Sequence, residues 1–429
     1  MASNEMLHSV TLDREKCVGC TTCVKRCPME AIRVRDKRAV IIKERCIDCG
    51  ECIRLCPHHA KKAVVDPLSS IHDYKYSIAL PAPTLYGQFS GVRDRNILLT
   101  GLKRIGFDDT FEVSAAAEAI SEATRRDLKA GKLPNPVIST ACPTVLRIIR
   151  ARFPSLLPNL LPYRSPMELA ARWARSNAVK KTGLKPEEIG CFFLSPCPAK
   201  ATSTRIPIGT HESAVSGVIS IAEIYPKLRA VLKKIGEPEQ LARSGVIGVN
   251  WAVSGGESLG TGKNDYLAAD GLENVMRILE MLEDEQIASA SFIELNACVG
   301  GCVGGVLTVE NPFVAKARID RLLAQIVPVL SPEGLPEWDM HWEDSVEYKP
   351  VSQLGESVAD AMAKLGRITE LEGRFPGLDC GACGAPSCHA LAEDIVGGFS
   401  NEEQCIFVMR EKLQKLLDKN GESAKEDAQ

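Results

Sequence analysis

Short apolar runs alternate with longer amphipathic stretches through the central part of the chain, from about residue 70 onwards. Continuous apolar runs are typical of buried strands, whereas apolar residues spaced three and four apart are typical of helices. The runs predict strands at Tyr76–Leu80, Val137–Thr140, Ile189–Leu194, Val246–Ala252 and Phe292–Leu295. The helical spacing predicts helices at Ser114–Lys129, Ser165–Lys181, Leu272–Glu283 and Ser357–Leu371. The second of these opens with a capping-box pattern, with Ser165 as the cap. This alternation indicates α/β layers.

Four of the predicted strands run directly towards residues that can bind a ligand. The segments that follow them are Pro81-Ala82-Pro83-Thr84, Ala141-Cys142-Pro143, Ser195-Pro196-Cys197-Pro198-Ala199-Lys200, and Asn296-Ala297-Cys298 with Cys302. Ligands in α/β sheets gather at the carboxyl ends of the strands, so we expect these segments to converge.

The stretch from Cys298 to Gly305 places two cysteines four residues apart among glycines. Residues with this spacing share one face of a helical turn, and glycine lets a bulky group approach the backbone. Soft thiolates beside such a surface suit an iron–sulfur cofactor. Taken alone, the stretch also fits a glycine-rich helix start with two buried thiols.

The N-terminal part, residues 1–68, contains the bacterial ferredoxin run C-x2-C-x2-C-x3-C-P twice. In such pairs the fourth cysteine of each run binds the other cluster. The predicted ligands are Cys17, Cys20, Cys23 and Cys56 for a first [4Fe–4S] cluster, and Cys46, Cys49, Cys52 and Cys27 for a second. Ala31–Val34 and Ala39–Ile42 predict a hairpin between the runs. A zinc ribbon is the alternative, but it has no common form with these two proline-terminated runs.

The C-terminal part, residues 346–429, contains four more cysteines, Cys380, Cys383, Cys388 and Cys405. Four thiolates suffice for one further [4Fe–4S] cluster, and a structural zinc site is the alternative. Ser387 is placed to cap a helix whose N-terminal dipole favours an anionic cluster. An amphipathic helix is predicted to about Leu417, with a disordered tail from Asn420.

Composition limits the classes of function. The chain of 429 residues is 45% hydrophobic and 25% charged with a net charge of -3, which predicts no broad nucleic-acid or anionic-membrane surface. No signal-peptide segment and no run of membrane-spanning length is evident, so we expect a cytoplasmic protein. Seventeen cysteines in a reducing compartment indicate metal sites.

Five cysteines lie in the central part, residues 69–345. Cys191 sits within a predicted strand beside two phenylalanines, and we expect a buried, inert thiol there. The remaining four are Cys142, Cys197, Cys298 and Cys302, the number that one cubane needs. The expected fold is therefore a mixed α+β and α/β multidomain chain, with a ferredoxin-like module, an α/β domain and a small helical C-terminal domain.

The three central cysteine segments resemble the three signatures of the active-site domain of [FeFe]-hydrogenases. Ser139-Thr140-Ala141-Cys142-Pro143 is similar to the first, Ser195–Lys200 to the second, and Glu294–Cys302 to the third. The resemblance covers residues 1 to about 330, because many members also carry the double ferredoxin module. It implies a two-lobed domain that binds the H-cluster.

The resemblance implies that Cys142, Cys197, Cys298 and Cys302 hold the [4Fe–4S] part of the H-cluster, with Cys302 also bridging to a di-iron unit that carries CO, cyanide and a dithiolate amine. Lys200 would contact one cyanide, and the segment Ala82, Pro83 and Thr84 would line the pocket of the other. Installing the di-iron unit requires dedicated maturase proteins.

The chain departs from the family pattern at positions around the di-iron unit. Ala141 stands where active members carry a proton-relaying cysteine, and a methyl group cannot exchange a proton. Ser203 replaces the usual glutamate three residues after the lysine, and Ser195 and Asn296 replace methionines. Since general acid–base assistance contributes roughly 10²–10⁴ in rate, we expect slow turnover.

Two functions follow as hypotheses. The first is a slow, sensory-type [FeFe]-hydrogenase that binds H2, exchanges protons and passes electrons to accessory clusters. An unidentified redox or signalling partner would respond to the redox state of those clusters. A slow metabolic hydrogenase is a close variant of this hypothesis. The second is an electron-transfer or iron–sulfur scaffold protein that carries [4Fe–4S] clusters only. Lys200 and the glycines favour the first, since a bare cubane needs neither.

Overall fold

The computed structural model describes residues 8–287, 289–326, 340–351 and 354–426. Contacts divide the chain into two units. The large unit comprises the residues up to Val10, Ile47–Gly50 and Ala63–Lys349, and the small unit comprises Thr11–Cys46, Glu51–Lys62 and the residues from Pro350 onwards.

The strands are β1 Val10–Leu12, β2 Ile32–Arg35, β3 Arg38–Ile41, β4 Lys61–Ala63, β5 Tyr76–Pro81, β6 Asp109–Thr110, β7 Val137–Ile138, β8 Ile189–Ser195, β9 Gly217–Ser220, β10 Tyr266–Asp270 and β11 Phe292–Asn296. The α-helices are α1 Thr22–Lys25, α2 Glu51–Arg54, α3 Arg95–Arg104, α4 Val113–Lys129, α5 Pro143–Arg152, α6 Pro166–Thr182, α7 Pro198–Arg205, α8 Ile221–Leu232, α9 Val246–Asn250, α10 Gly256–Gly260, α11 Leu272–Glu283, α12 Pro312–Leu323, α13 Val358–Arg374, α14 Cys388–Val396 and α15 Ile406–Glu426.

The large unit is built on two parallel sheets. One has the strand order β6-β5-β8-β9 and the other the order β10-β11-β7. Strands β5 and β8 pair in register from Tyr76 with Ile189 to Pro81 with Leu194, and β8 is buried along its whole length. Burial of both faces explains why the sequence of β8 is a continuous apolar run and not an alternating one. Cys191 is fully buried in this strand, as predicted.

Four predicted strands are confirmed, and one prediction is wrong. Val246–Ala252 was expected as a strand, but Val246–Asn250 forms the helix α9. A short apolar run is compatible with either structure, and here close helix packing decides. A Cβ at Gly248 would lie 1.9 Å from the carbonyl oxygen of Ser114 in α4, so glycine permits the contact.

The predicted helix at Ser165 is confirmed, but the predicted capping box is wrong. Helix α6 begins at Pro166, but the Ser165 side chain makes no capping hydrogen bond. Glu168, the other half of the expected capping box, instead accepts hydrogen bonds from the hydroxyl of Ser213 and the amide of Ala214. The proline at the first helical position therefore marks the helix start.

The small unit contains the antiparallel hairpin of β2 and β3, in which Val34 pairs with Ala39, as predicted. Its C-terminal helices enclose an apolar cluster that includes Ile368, Leu371 and Leu391. Helix α15 continues beyond the predicted end at Leu417 to Glu426, so residues 420–426 of the expected disordered tail are helical. Residues 427–429 of that tail lie outside the described residues.

None of the helices in the described ranges combines the length and the apolar content that crossing a bilayer requires.

Candidate metal centre

One cavity of the large unit collects residues from the carboxyl ends of both sheets. Its lining comprises Ala82, Pro83 and Thr84 after β5, Ala141 and Cys142 after β7, Pro196 and Lys200 after β8, Asn296 and Cys302 at and after β11, and Val113, Ala117, Pro166, Met167, Phe193, Trp251, Glu257 and Glu294. The four predicted segments therefore meet, although their strands belong to two sheets and not to one.

Two of the cysteines stand at helix N-termini. Cys142 is the N-cap residue of α5 and Cys197 that of α7, each followed by a proline. A helix N-terminus favours a negatively charged thiolate. Burial nevertheless raises the pKa of Cys197, although the nearby Lys200 ammonium opposes the shift.

Cys302 opens a single helical turn after β11, and its thiol lies close to those of Cys197 and Cys142. Burial raises its pKa to about 12, with Lys200 opposing and Cys197 and Cys142 adding to the shift. Thiols in such surroundings become thiolates when a cation takes up their charge. The donor set therefore fits a metal cluster better than free thiols.

Glycines bring the cysteine segments together. A Cβ at Gly305 would lie 2.3 Å from the carbonyl oxygen of Pro196, the residue before Cys197. The amide of Leu307 donates to that same oxygen at 2.9 Å. Gly301 has a φ of +89°, and its Cβ would lie 2.5 Å from the amide nitrogen of Ser254. Bulkier residues at these two positions would separate the segments.

Lys200 supplies a buried positive charge in the cavity wall. The residue is only 8% exposed, and its Nζ donates to the carbonyl oxygen of Ala141 at 2.8 Å. An ammonium carries three N–H donors, and one of them is used by Ala141. Within the described ranges, the other two can donate to a ligand in the cavity. This arrangement suits an anionic ligand such as cyanide.

Two buried carboxyl groups, Glu257 and Glu294, face the same cavity. Glu294 accepts hydrogen bonds from the amide of Gly255, from the amide and hydroxyl of Ser258, and from Asn296 Nδ2, all within 2.8–2.9 Å. Glu257 accepts one, from the Ser139 hydroxyl at 2.5 Å.

The two carboxyl groups differ in the form that their surroundings favour. Burial, and then the charge of Glu294, raises the pKa of Glu257 to about 8. Burial also raises the pKa of Glu294, but its four hydrogen-bond donors stabilise the carboxylate and oppose that shift. Glu257 is therefore the member of the pair that holds a proton at neutral pH.

The three remaining predicted positions lie at different places around the cavity. Asn296 is in the lining and donates to Glu294, whereas Ser195 is outside the lining given above. The Ser195 hydroxyl instead donates to the carbonyl of Cys197 and accepts from its amide, which fixes the loop of that cysteine. Ser203 lines an adjoining cavity that shares Ala141, Met167 and Lys200 with the first.

In the small unit, a second cavity is lined by Cys17, Cys20, Cys23 and Cys56, the four ligands predicted for the first ferredoxin cluster. Backbone amides donate to sulfur at three cysteines: Ala39 to Cys17 at 3.4 Å, Ala31 to Cys27 at 3.2 Å, and Ala60 to Cys56 at 3.3 Å. Such N–H···S contacts are typical of iron–sulfur sites, where they tune the reduction potential.

Of the second ferredoxin set, Cys27 and Cys52 are largely buried, and burial raises the pKa of both thiols. Cys46 and Cys49 are partly exposed. The ligand set of this cluster stays a prediction from the sequence.

The C-terminal cysteines share one apolar cluster. Cys405 is buried there, and Cys383 and Cys388 pack against the same cluster. Burial raises the pKa of Cys383, with Cys380 and Cys405 close enough to add to the shift. Ser387 caps α14 by accepting from the amide of Ala390 at 3.1 Å, as expected.

Comparison with known proteins identifies the family of the chain. The model of the iron-only hydrogenase large subunit, C-terminal domain, matches residues 75–258 and 246–306, which together are more than half of the chain. The chain belongs to the iron-only hydrogenase family. A 4Fe-4S dicluster domain model matches residues 9–57, and an Fe–S cluster model matches residues 375–407 of this hydrogenase-like chain.

Two curated hydrogenases are similar to the chain. The periplasmic [Fe] hydrogenase large subunit of Nitratidesulfovibrio vulgaris is 30% identical over 218 residues, which cover 46% of this chain and 52% of the relative. Iron hydrogenase 1 of Clostridium pasteurianum is 24% identical over 402 residues, covering 76% and 69%. The chain thus spans about half of the first relative and about two thirds of the second.

A solved structure shares the fold. A variant apo form of the [FeFe]-hydrogenase HydA1 from Chlamydomonas reinhardtii superposes with a TM-score of 0.50 at 16% identity, covering 64% of this chain and 95% of that one.

Sequence reasoning missed Glu257 as a residue that lines this cavity. Its signal was the pair Gly255-Gly256 directly before it, which marks a close approach of the backbone. Glu294 lies within the third signature, but its burial beside a second carboxyl group depends on tertiary packing that no local pattern specifies.

Proposed function

We propose that this protein binds and activates H2 at an H-cluster with slow turnover, and that it serves to sense H2. The observation that supports the proposal best is the composition of the cavity. Thiols and a buried ammonium meet there, while Ala141 occupies the position of the proton-relaying cysteine.

The residues of the cavity fit the cofactor that the family implies. Cys142, Cys197, Cys298 and Cys302 would hold its [4Fe–4S] part, and Lys200 would bind an anionic ligand of the di-iron unit. When bound, the di-iron unit supplies the redox-active metal at which H2 is cleaved or formed.

The protein's own side chains set what happens to protons near that unit. Apolar groups such as Phe193, Trp251 and Met167 exclude water, which strengthens electrostatic interactions inside the cavity. The carboxyl of Glu257 holds a proton in the wall, with Ser139 fixing one of its oxygens. Ala141 neither accepts nor donates a proton, so exchange with the reacting centre lacks its usual thiol and is slowed.

We further infer that electrons pass through three accessory [4Fe–4S] clusters, two of the ferredoxin type and one at the C-terminal cysteines. The redox or signalling partner is unidentified, and H-cluster maturases would install the di-iron unit. A cytoplasmic location is part of the same proposal, although the relative from Nitratidesulfovibrio vulgaris is named as periplasmic.

The test loads the iron–sulfur protein with a synthetic di-iron cofactor and records infrared spectra under argon and under H2. The proposal expects CO and cyanide bands that shift when H2 is admitted, together with low H2 evolution. A Cys302→Ser variant treated in the same way is the control and should lose the bands. Absence of CO and cyanide bands from the parent protein would instead support a scaffold that carries [4Fe–4S] clusters only.

A further inference from the structure

The hairpin of β2 and β3 contacts both the first ferredoxin site and the C-terminal site within the small unit. On one strand, the amide of Ala39 donates to Cys17 Sγ, a ligand predicted for the first ferredoxin cluster. On the other strand, the amide of Val34 donates at 2.8 Å to the carbonyl oxygen of Gly384, the neighbour of Cys383. Ala39 and Val34 are direct cross-strand partners. The contacts with the two cysteine sets therefore meet at one cross-strand pair.

The side chain of Val34 extends this contact. It lines the same cavity as the four cysteines of the first ferredoxin site. Its backbone is so close to the C-terminal segment that a Cβ at Gly384 would lie 2.2 Å from the carbonyl oxygen of Val34. Gly384 also has a φ of +83°, a conformation that suits glycine.

Ion pairs hold the C-terminal segment on the hairpin. The carboxylate of Asp394 in α14 accepts from Arg33 Nε at 2.7 Å and from Arg35 Nη2 at 2.5 Å. Arg33 and Asp394 are 4% and 7% exposed, so this pairing is buried. Arg45 pairs with Glu393 at 2.9 Å beside it. A buried charge left without its partner is costly, so these pairs fix one orientation.

We propose that the C-terminal [4Fe–4S] cluster exchanges electrons directly with the first ferredoxin cluster, across the β2–β3 hairpin at Val34 and Ala39. In each transfer one electron leaves the reduced cluster and enters the oxidised one, with no bond made or broken. The C-terminal cluster is then an outer member of the electron chain, and Gly384 and Asp394 are positioning residues. The inference rests on the iron–sulfur part of the proposed function and is independent of the di-iron unit.

The experiment compares the full-length iron–sulfur protein with Gly384→Ala and with the control Gly377→Ala. Gly377 has a φ of +65°, so both variants carry a backbone penalty, but a Cβ at Gly377 meets no atom within 4 Å. Electron paramagnetic resonance of the reduced proteins measures the magnetic interaction between clusters. Hydrogen–deuterium exchange at the Val34 amide measures docking without reference to iron.

The proposal expects Gly384→Ala to keep its iron, to lose the part of the magnetic interaction that involves the C-terminal cluster, and to exchange the Val34 amide roughly tenfold faster or more. Gly377→Ala should match the parent protein in all three measurements. Asp394→Asn should show the same losses without any backbone change, which keeps the test valid if Gly384→Ala fails to fold. Cys405→Ala, which removes the ligand altogether, should lose about four iron atoms, the content of one [4Fe–4S] cluster, together with the interaction.

Three results would overturn the inference. Unchanged Val34 exchange in Gly384→Ala and Asp394→Asn would show that the segment does not dock through this contact. Faster exchange with an unchanged magnetic interaction would separate docking from electron transfer. Cys405→Ala without loss of iron would remove the C-terminal cluster from the proposal. None of these readings depends on CO or cyanide bands, so the inference and the proposed H2 function can fail separately.

Discussion

The substitution Glu257→Gln tests whether the cavity wall stores a proton. The pKa of Glu257 is raised from 4.5 to about 8, by burial first and by the charge of Glu294 second. A carboxyl group with a pKa of about 8 is roughly 90% protonated at pH 7, against roughly 0.3% for a pKa of 4.5. At 1.36 kcal/mol for each pKa unit, the neutral acid is favoured by about 5 kcal/mol relative to an exposed glutamate.

Infrared difference spectra recorded across neutral and alkaline pH would detect this group through the carbonyl stretch of the protonated acid. We expect a component that disappears with a midpoint near pH 8, shifts in D2O and is absent from Glu257→Gln. Ser139→Ala should raise the midpoint, because the Ser139 hydrogen bond lowers the pKa of Glu257.

Glu118→Gln is the matched control. Glu118 is another buried carboxyl group, and burial raises its pKa as well. It accepts a hydrogen bond from the amide of Gly245 and lies outside the cavity lining given above. Its substitution should leave the component near pH 8 in place. Persistence of that component in Glu257→Gln, or its absence from the parent protein, would refute the assignment of the proton to Glu257.

The same shift predicts how stability depends on pH. Below pH 4.5 Glu257 is neutral in both the folded and the unfolded state, so it contributes no pH dependence. Between pH 4.5 and about 8 the unfolded chain releases this proton and the folded protein keeps it, so the free energy of unfolding falls as pH rises. Glu257→Gln should flatten this slope in anaerobic denaturant titrations.

Three further substitutions test the cavity. Ala141→Cys should raise H2 turnover or change the balance of infrared states, and unchanged H2 evolution in both Ala141→Cys and Ala141→Cys/Ser203→Glu would show that the missing thiol is not what limits the rate. Lys200→Met should weaken uptake of the synthetic di-iron complex by about 10- to 150-fold, because a charge-assisted hydrogen bond contributes roughly 1.5–3 kcal/mol. Infrared titration measures the uptake, and uptake equal to that of the parent protein would exclude Lys200 as an anchor. Gly305→Ala should lower the free energy of unfolding by about 1–3 kcal/mol, because its Cβ would lie 2.3 Å from the Pro196 oxygen. The control Gly236→Ala should not lower it, because a Cβ at Gly236 meets no atom within 4 Å. Equal stability of the two variants would contradict the close approach at Gly305.

Much of the fold followed from local patterns. The strand β8, which is buried on both faces, was predictable from its continuous apolar run. The hairpin of β2 and β3 was predictable from two short β-forming runs on either side of Asp36-Lys37. The helix α9 could not be predicted because its short apolar run fits strand and helix alike. What decided it was the missing side chain of Gly248 against α4, a contact between distant parts of the sequence.

The candidate site was predictable where chemistry is carried by residue type and spacing. The cysteine segments that follow predicted strands were expected to converge, and Cys142 and Cys302 do line the same cavity. The proton-holding character of Glu257 was not predictable, because a raised pKa requires burial and a second carboxyl group nearby. Neither condition leaves a periodic trace in the sequence.

The Ala141 loop is built so that its shape does not depend on the side chain at that position. The Ala141 carbonyl oxygen accepts from Lys200 Nζ at 2.8 Å, and its amide donates to the Ser139 hydroxyl at 3.2 Å. That hydroxyl in turn donates to Glu257, so backbone and polar contacts hold the loop on both sides. A thiol introduced at position 141 therefore adds a proton-exchanging group with little change to the loop. Glu257 lies one hydrogen-bonded residue away, through Ser139, and its carboxyl group is a proton donor within the cavity lining. If Ala141→Cys speeds turnover and Glu257→Gln abolishes that gain, the two groups act in one proton path. If the gain survives in the double variant, the new thiol draws its protons from a group other than Glu257.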